Sequence, residues 1–121
     1  MATLLVNTGK AIVTSRLNSG GTIPSYVAYG TGTGTTAITD TTLFTETGTR
    51  VSGTVTQQTT TTTNDTFQVI GTQTAGGTLA ITNAGLFDAA TVGNLFVKGD
   101  FSTINLSSGD SIQFTFKVQF S

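Results

Sequence analysis

The sequence predicts a mainly β protein, an antiparallel β-sandwich or jelly-roll-like barrel, and three observations carry that expectation. The stretch SIQFTFKVQF at 111–120 sets Ile112, Phe114, Phe116, Val118 and Phe120 in strict alternation with Ser111, Gln113, Thr115, Lys117 and Gln119. Threonine, whose branched Cβ suits extended backbone, fills 29 of 121 positions. Short apolar runs are punctuated by glycine turns, at Gly76-Gly77, Gly99-Asp100 and Gly109-Asp110. The length suits a single domain, 1–121, able to bury a core without a metal or disulfide.

In chain order, Leu4, Leu5 and Val6 form the only early apolar run, too short for a signal peptide or a membrane span. The chain is therefore expected to be soluble and unprocessed. In NTGKAIVTSRLNSGG, residues Ile12, Val13, Arg16 and Leu17 fall on one side of a short N-terminal helix. Asn7 or Thr8 is placed to cap its start and Gly20 its end. SYVAYG reads as a strand. The following GTGTG at 30–34 reads as its exit loop, with glycines for backbone angles that other residues disfavour. TDTTLFTE predicts a short helical turn near 40–46, capped by Asp40 and pointing Leu43 and Phe44 inward. RVSGTVTQQTTTTT and TFQVIGTQT form a hairpin about Asn64-Asp65, with the threonine run at 59–63 read as strand. GGTLAITNAGLFD and GNLFVKGDF add two strands. The 111–120 stretch closes the fold as a long or central strand, with at least three of its five apolar residues buried.

Five basic and six acidic residues leave a net charge of −1, so the polar surface must come from Thr, Ser, Gln and Asn. Lys10, Arg16, Arg50, Lys98 and Lys117 form no cluster, and no field steers the protein toward nucleic acid or anionic lipid. Hydroxyl groups are cheap to bury once they find a partner, whereas Lys or Glu demands a paired charge. Such a surface suits permanent contact with protein. The absence of cysteine leaves the redox compartment open.

Motifs for chemistry are sparse. GTGTG lacks the third glycine of a dinucleotide fingerprint, lacks the Lys-Ser/Thr of a nucleotide loop and opens no long helix. Alternate threonines could match ice, but no period of coils repeats them. With no His and no Cys, acid-base work would fall to Asp40, Glu46, Asp65, Asp88, Asp100 and Asp110, and four of these, from Asp65 on, sit in turn contexts. No calcium-loop spacing occurs. Tyr26 and Tyr29 project to opposite sides of one strand, so they make no sugar-binding platform. The triplets NDT at 64 and NLS at 105 match glycosylation acceptors, with no secretory signal to give them meaning. The expectation is no enzyme, no cofactor and no metal.

The order of pieces, LLVNTGKAIVTSRL, YVAYGTGTGTTAITDTTLFTE, TNDTFQVIGT, ITNAGLFDAATVGNLFVKGDF and GDSIQFTFKVQF, resembles small virion proteins of tailed bacteriophages over nearly the whole chain. The most specific parts are YGTGTG leading to TDTTLFTE, and NAGLFDA followed by GNLF and the closing strand. The resemblance implies a virion part assembled in the host cytoplasm, either a capsid decoration (cement) protein or a tail or tail-fibre component in host attachment. It implies the major capsid protein or other virion proteins as partners. A homo-oligomer, as a trimer, is a separate expectation. No coiled coil or collagen-like repeat supplies a fibre shaft, which favours decoration. The partner-binding candidates are the N-terminal arm, with Ala2, Thr3 and Leu4, and the loop Gly30, Thr31, Gly32, Thr33 and Gly34, whose backbone is expected to be unpaired and free to add to a partner's sheet edge.

Overall fold

The computed structural model describes residues 3–121, so Ala2 lies outside the described residues. The chain runs β1 (Thr3–Leu5), α1 (Asn7–Leu17), β2 (Tyr26–Gly30), β3 (Glu46–Ser52), β4 (Thr54–Gln58), β5 (Thr66–Thr74), β6 (Leu79–Phe87), β7 (Leu95–Leu106) and β8 (Ser111–Gln119). All pairings are antiparallel and form two sheets, β1-β7-β6-β2-β3 and β4-β5-β8. The result is the expected β-sandwich with one short helix. The chain passes from the five-stranded sheet to the three-stranded one at Gly53, so that side of the sandwich is closed covalently. The opposite side ends on β1 and β8 and stays open.

Between the sheets lies the main core, with Val27, Tyr29, Ile81, Leu86, Phe96 and Val97 facing Val69 and Phe116. Helix α1 contributes Ile12 to it. A Cβ on Gly9 would collide with the Phe96 carbonyl, so this helix lies directly on β7. No side chain caps its start, which falls at Val6, and the Thr8 hydroxyl instead donates to Leu95 O at 2.7 Å. Its end is a Schellman turn: Gly20 N–H reaches Ser15 O at 2.8 Å and Ser19 N–H reaches Arg16 O at 3.0 Å, with Ser19 at φ 62°. Leu17, expected on the buried side, is 81% exposed, because the helix ends before a neighbour covers that turn.

One buried polar group joins the sheets. Between the pairs Val27 with Val51 and Tyr29 with Thr47, β3 carries two more residues than β2, which breaks the ladder there. Gln73 of β5 reaches across the core and donates to Val27 O at 2.9 Å and Thr49 O at 3.2 Å. The Val27 carbonyl lies in the interior, where an unmet acceptor is costly.

Three expectations are corrected. Residues 40–46 hold turns flanked by irregular backbone, not a helical turn, because Asp40 closes the turn before it: its Oδ2 accepts from Ala37 N at 3.0 Å. The threonine run 59–63 is a loop. Asp65 gathers it by accepting from the amides of Thr60, Thr61 and Thr62 at 2.9–3.1 Å, bonds that a continuing strand would have spent on a ladder. Strand β8 is long but lies at a sheet edge. Only Phe116 of its five apolar residues is buried; Ile112, Phe114 and Val118 are half-buried and Phe120 is 51% exposed.

Candidate functional site

The glycine loop is a strap. Leaving β2, the chain crosses the outer face of the five-stranded sheet before returning as β3. The row Ala28, Gly85, Lys98 and Leu4 runs across that face, and Leu43 of the strap packs with Ala28, Phe87 and Leu95. Farther along, Ile38 O accepts from Asn7 N at 2.8 Å, at the start of α1.

Each stage is fastened by chemistry. Thr31 N–H bonds to Thr45 O at 3.1 Å and Gly32 N–H to Phe44 O at 2.9 Å, so the backbone expected to be unpaired is paired with its own chain at these two residues. Gly30 is buried, Thr31 and Gly32 are half-buried, and only Thr33 and Gly34 of the candidate loop are exposed. Gly30, Gly32 and Gly34 have no positive φ. Their lack of side chains serves close approach: a Cβ would strike Phe44 O at Gly30, Thr45 Oγ1 (2.6 Å) at Gly32 and the Phe44 ring (2.7 Å) at Gly34. Fully buried Asn83 acts as a backbone surrogate, accepting from Phe44 N at 3.0 Å and donating to Phe44 O at 3.1 Å. The Thr82 hydroxyl donates to the carbonyls of Gly30 and Gly32.

One charge is buried under the strap. Lys98 is 1% exposed; its Nζ donates to Asp40 Oδ2 at 2.8 Å and Thr42 O at 2.9 Å, and it sits 3.4 Å over the Phe44 ring centroid. The bond from Lys98, helped by the Ala37 amide, holds the Asp40 carboxyl below its ordinary pKa. Arg50 grips Glu46 at 2.7 and 3.0 Å, donates to Ala89 O and Val92 O, and stacks 3.5 Å over Phe87. It ties loop 88–93 to β3. Backbone donors from Thr62 and Thr60 hold Asp65 far below the usual carboxylate range. Asp88 accepts from Asn94 N at 2.6 Å, Asp100 from Thr36 N at 3.2 Å, and Asp110 from Ser107 N at 2.8 Å. All six carboxylates considered for acid-base work are therefore engaged with their own chain. Asp100 lies within a strand and not in the turn expected of it.

What the fold leaves outward is different in kind. The register places Thr54, Thr56 and Gln58 beside Ile70, Gln68 and Thr66, and these beside Thr115, Lys117 and Gln119, all on the outer face of the three-stranded sheet. Thr72, Thr74, Gln113 and Ser111 extend the same face. Lys117 is its one cation, and at one end the Asp65 carboxylate accepts from Gln119 Nε2 at 3.1 Å and from the Thr66 hydroxyl at 2.9 Å, where the 59–65 loop covers Thr66. Along the open side of the sandwich, a groove of about 370 Å³ runs between Thr3 and Gly99 on one wall and β8 on the other, floored by half-buried Phe101 and Phe114. Their rings stand 6.4 Å apart. Of the proposed arm, Thr3 and Leu4 belong to β1, paired with Gly99 and Lys98 at the rim of this groove. Tyr29 is buried and Tyr26 half-buried, both as strand residues.

Comparison with protein-family models, with curated proteins and with solved structures finds no match.

Proposed function

We propose that this protein is a structural part of a tailed-bacteriophage virion, and within it a decoration protein that seats on the outer capsid lattice and stabilises it. The observation that carries the reading is the division of charge: ion pairs and carboxylates fasten the strap and loops, Asp65 among them at one end of the three-stranded sheet, while the rest of that sheet's outer face is Thr, Ser and Gln around Ile70 with one lysine. A surface of that kind is desolvated against another protein without stranding charges. The resemblance of the sequence to small phage virion proteins points the same way. The mechanism is mechanical: copies that bind only the expanded shell add their binding free energy to that state, and many modest contacts sum over the lattice. The exposed tip at Thr33 and Gly34 and the strand residues Thr3 and Leu4 are further contact candidates.

The test is stripping of purified virions. Removal of this protein should leave shells that burst more readily on heating yet still adsorb to cells. Loss of adsorption with an intact shell would assign it to the tail, and its absence from virions would overturn the proposal.

A further inference from the structure

Among the described residues the longest free edge is β8. At its end Phe120 N–H bonds to Asp65 O at 2.9 Å, and at its start Asp110 O accepts from Ala75 N–H at 2.7 Å. Both pairs continue the β5–β8 register without a shift. Because antiparallel bonding alternates every second residue, Ile112, Phe114, Phe116 and Val118 also aim their backbone groups at β5. Ser111, Gln113, Thr115, Lys117 and Gln119 therefore aim theirs outward, where no described strand pairs with them. The edge is about 30 Å long at the usual strand rise.

Protected edges are short, bulged, proline-bearing or charged. β1 is three residues long, β4 five, and β3 carries the irregularity and Gly48 at φ 74°. β8 has none of these devices apart from Lys117. Its two faces differ as an assembled strand's would, with apolar Phe114 and Phe116 inward and hydroxyl and amide groups outward.

We propose that β8 pairs with β8 of a second copy about a two-fold axis at Thr115, fusing two three-stranded sheets into one of six. The register follows from charge and turn geometry. Centred on Lys117, the two cations would face each other. Centred on Gln113, the pairing would run into the Gly109 turn at φ 88°. Centred on Thr115, Lys117 faces Gln113 of the second copy and Ser111 faces Gln119, with about ten backbone hydrogen bonds between copies. On the inner face, Phe114 then meets Phe116 of the second copy as a close cross-strand pair, which covers the half-buried Phe114 ring beside the groove. This rests on the reading of the protein as a self-associating building block and replaces the expected trimer with a specific two-fold contact.

Sedimentation equilibrium of the purified full chain tests it, independently of where the protein sits in a virion. The wild type should be a dimer. Thr115→Pro removes an outward N–H without touching the β5 ladder and should give a monomer with an unchanged circular dichroism spectrum. Gln113→Lys sets two lysine pairs face to face and should weaken association by about tenfold or more. Adding Lys117→Glu to Gln113→Lys should restore the dimer, because each introduced lysine would then meet an introduced carboxylate of the second copy. If Thr115→Pro fails to fold, the charge pair decides. A monomeric or trimeric wild type, or a dimer indifferent to Gln113→Lys, overturns the inference, and none of these results bears on whether the protein is a virion part.

Discussion

The ion pair under the strap sets up an asymmetry that mutation can read. Lys98 is almost wholly buried at 1% exposure, whereas the Asp40 side chain is 21% exposed. Asp40→Ala therefore strands an ammonium in the interior with only Thr42 O and the Phe44 ring for company. Breaking a buried pair in this way costs about 3–5 kcal/mol, and water reaching the vacated Asp40 position reduces that to about 2–3 kcal/mol. Lys98→Met keeps the stem and its packing, and leaves Asp40 able to face solvent with its Ala37 bond intact, so it should cost only about 1 kcal/mol. Combining the two should cost about 1.5 kcal/mol less than their sum. Urea titration followed by circular dichroism measures each value, and Asp40→Ala alone should lower Tm by about 10 °C. An Asp40→Ala cost equal to or below that of Lys98→Met would refute the account. The pH dependence has a definite sign as well. Asp40 has a lowered pKa when folded, so its contribution is complete above the unfolded value of about 3.9 and is lost as pH falls through the folded one.

Three further outcomes follow from the same geometry. Phe116→Ala removes the one buried apolar side chain of β8 and should cost about 3 kcal/mol in thermal or urea unfolding. Gly32→Ala forces a methyl against Thr45 Oγ1 and the Phe44 carbonyl carbon; it should cost about 1–3 kcal/mol, against a gain of a few tenths if the loop were merely mobile. Thr36 carries a buried hydroxyl with no partner among the described residues, so the isosteric Thr36→Val should stabilise by about 1 kcal/mol, read as a Tm rise of several degrees.

Much of the sandwich was legible because side-chain alternation survives wherever one face of a strand is dry. β5 and β8 both show it. Alternation does not reveal what lies beside a strand, and so β8 read as a long or central strand with at least three apolar residues buried, when it stands at an edge with Phe116 alone buried. Two of the failures involve partners distant in the chain that local sequence does not name, and one a carboxylate a few residues downstream. Asp40 looks like a helix cap until Lys98, 58 positions away, claims it. The alternate glycines look like a flexible exit until Phe44 and Asn83 occupy the space their side chains would need. The threonines at 59–63 continue a strand pattern, but one downstream carboxylate outcompetes the ladder. For the candidate site, composition pointed to an uncharged contact surface and could not say which face carried it, since threonines also line the strap and the Asp65 loop.

The location of that face constrains how a virion part would use it. A two-fold axis through Thr115 stands perpendicular to the local sheet, so both copies present their Thr, Ser and Gln residues on the same side. The dimer then offers one continuous hydroxyl and amide surface of twice the area, with the open β4 edges at its two ends. Two linked contacts turn the second binding event into an intramolecular one, so a face too weak to hold singly can hold as a pair. On this logic Thr115→Pro should weaken attachment to expanded shells even though Thr115 need touch nothing on the shell, whereas Thr54→Lys, exposed on the outer face of β4 and separated from β8 by β5, should weaken attachment and leave the dimer intact. A pelleting assay on stripped shells separates the two, and equal shell binding by the Thr115→Pro monomer and the wild type would show that pairing plays no part in attachment.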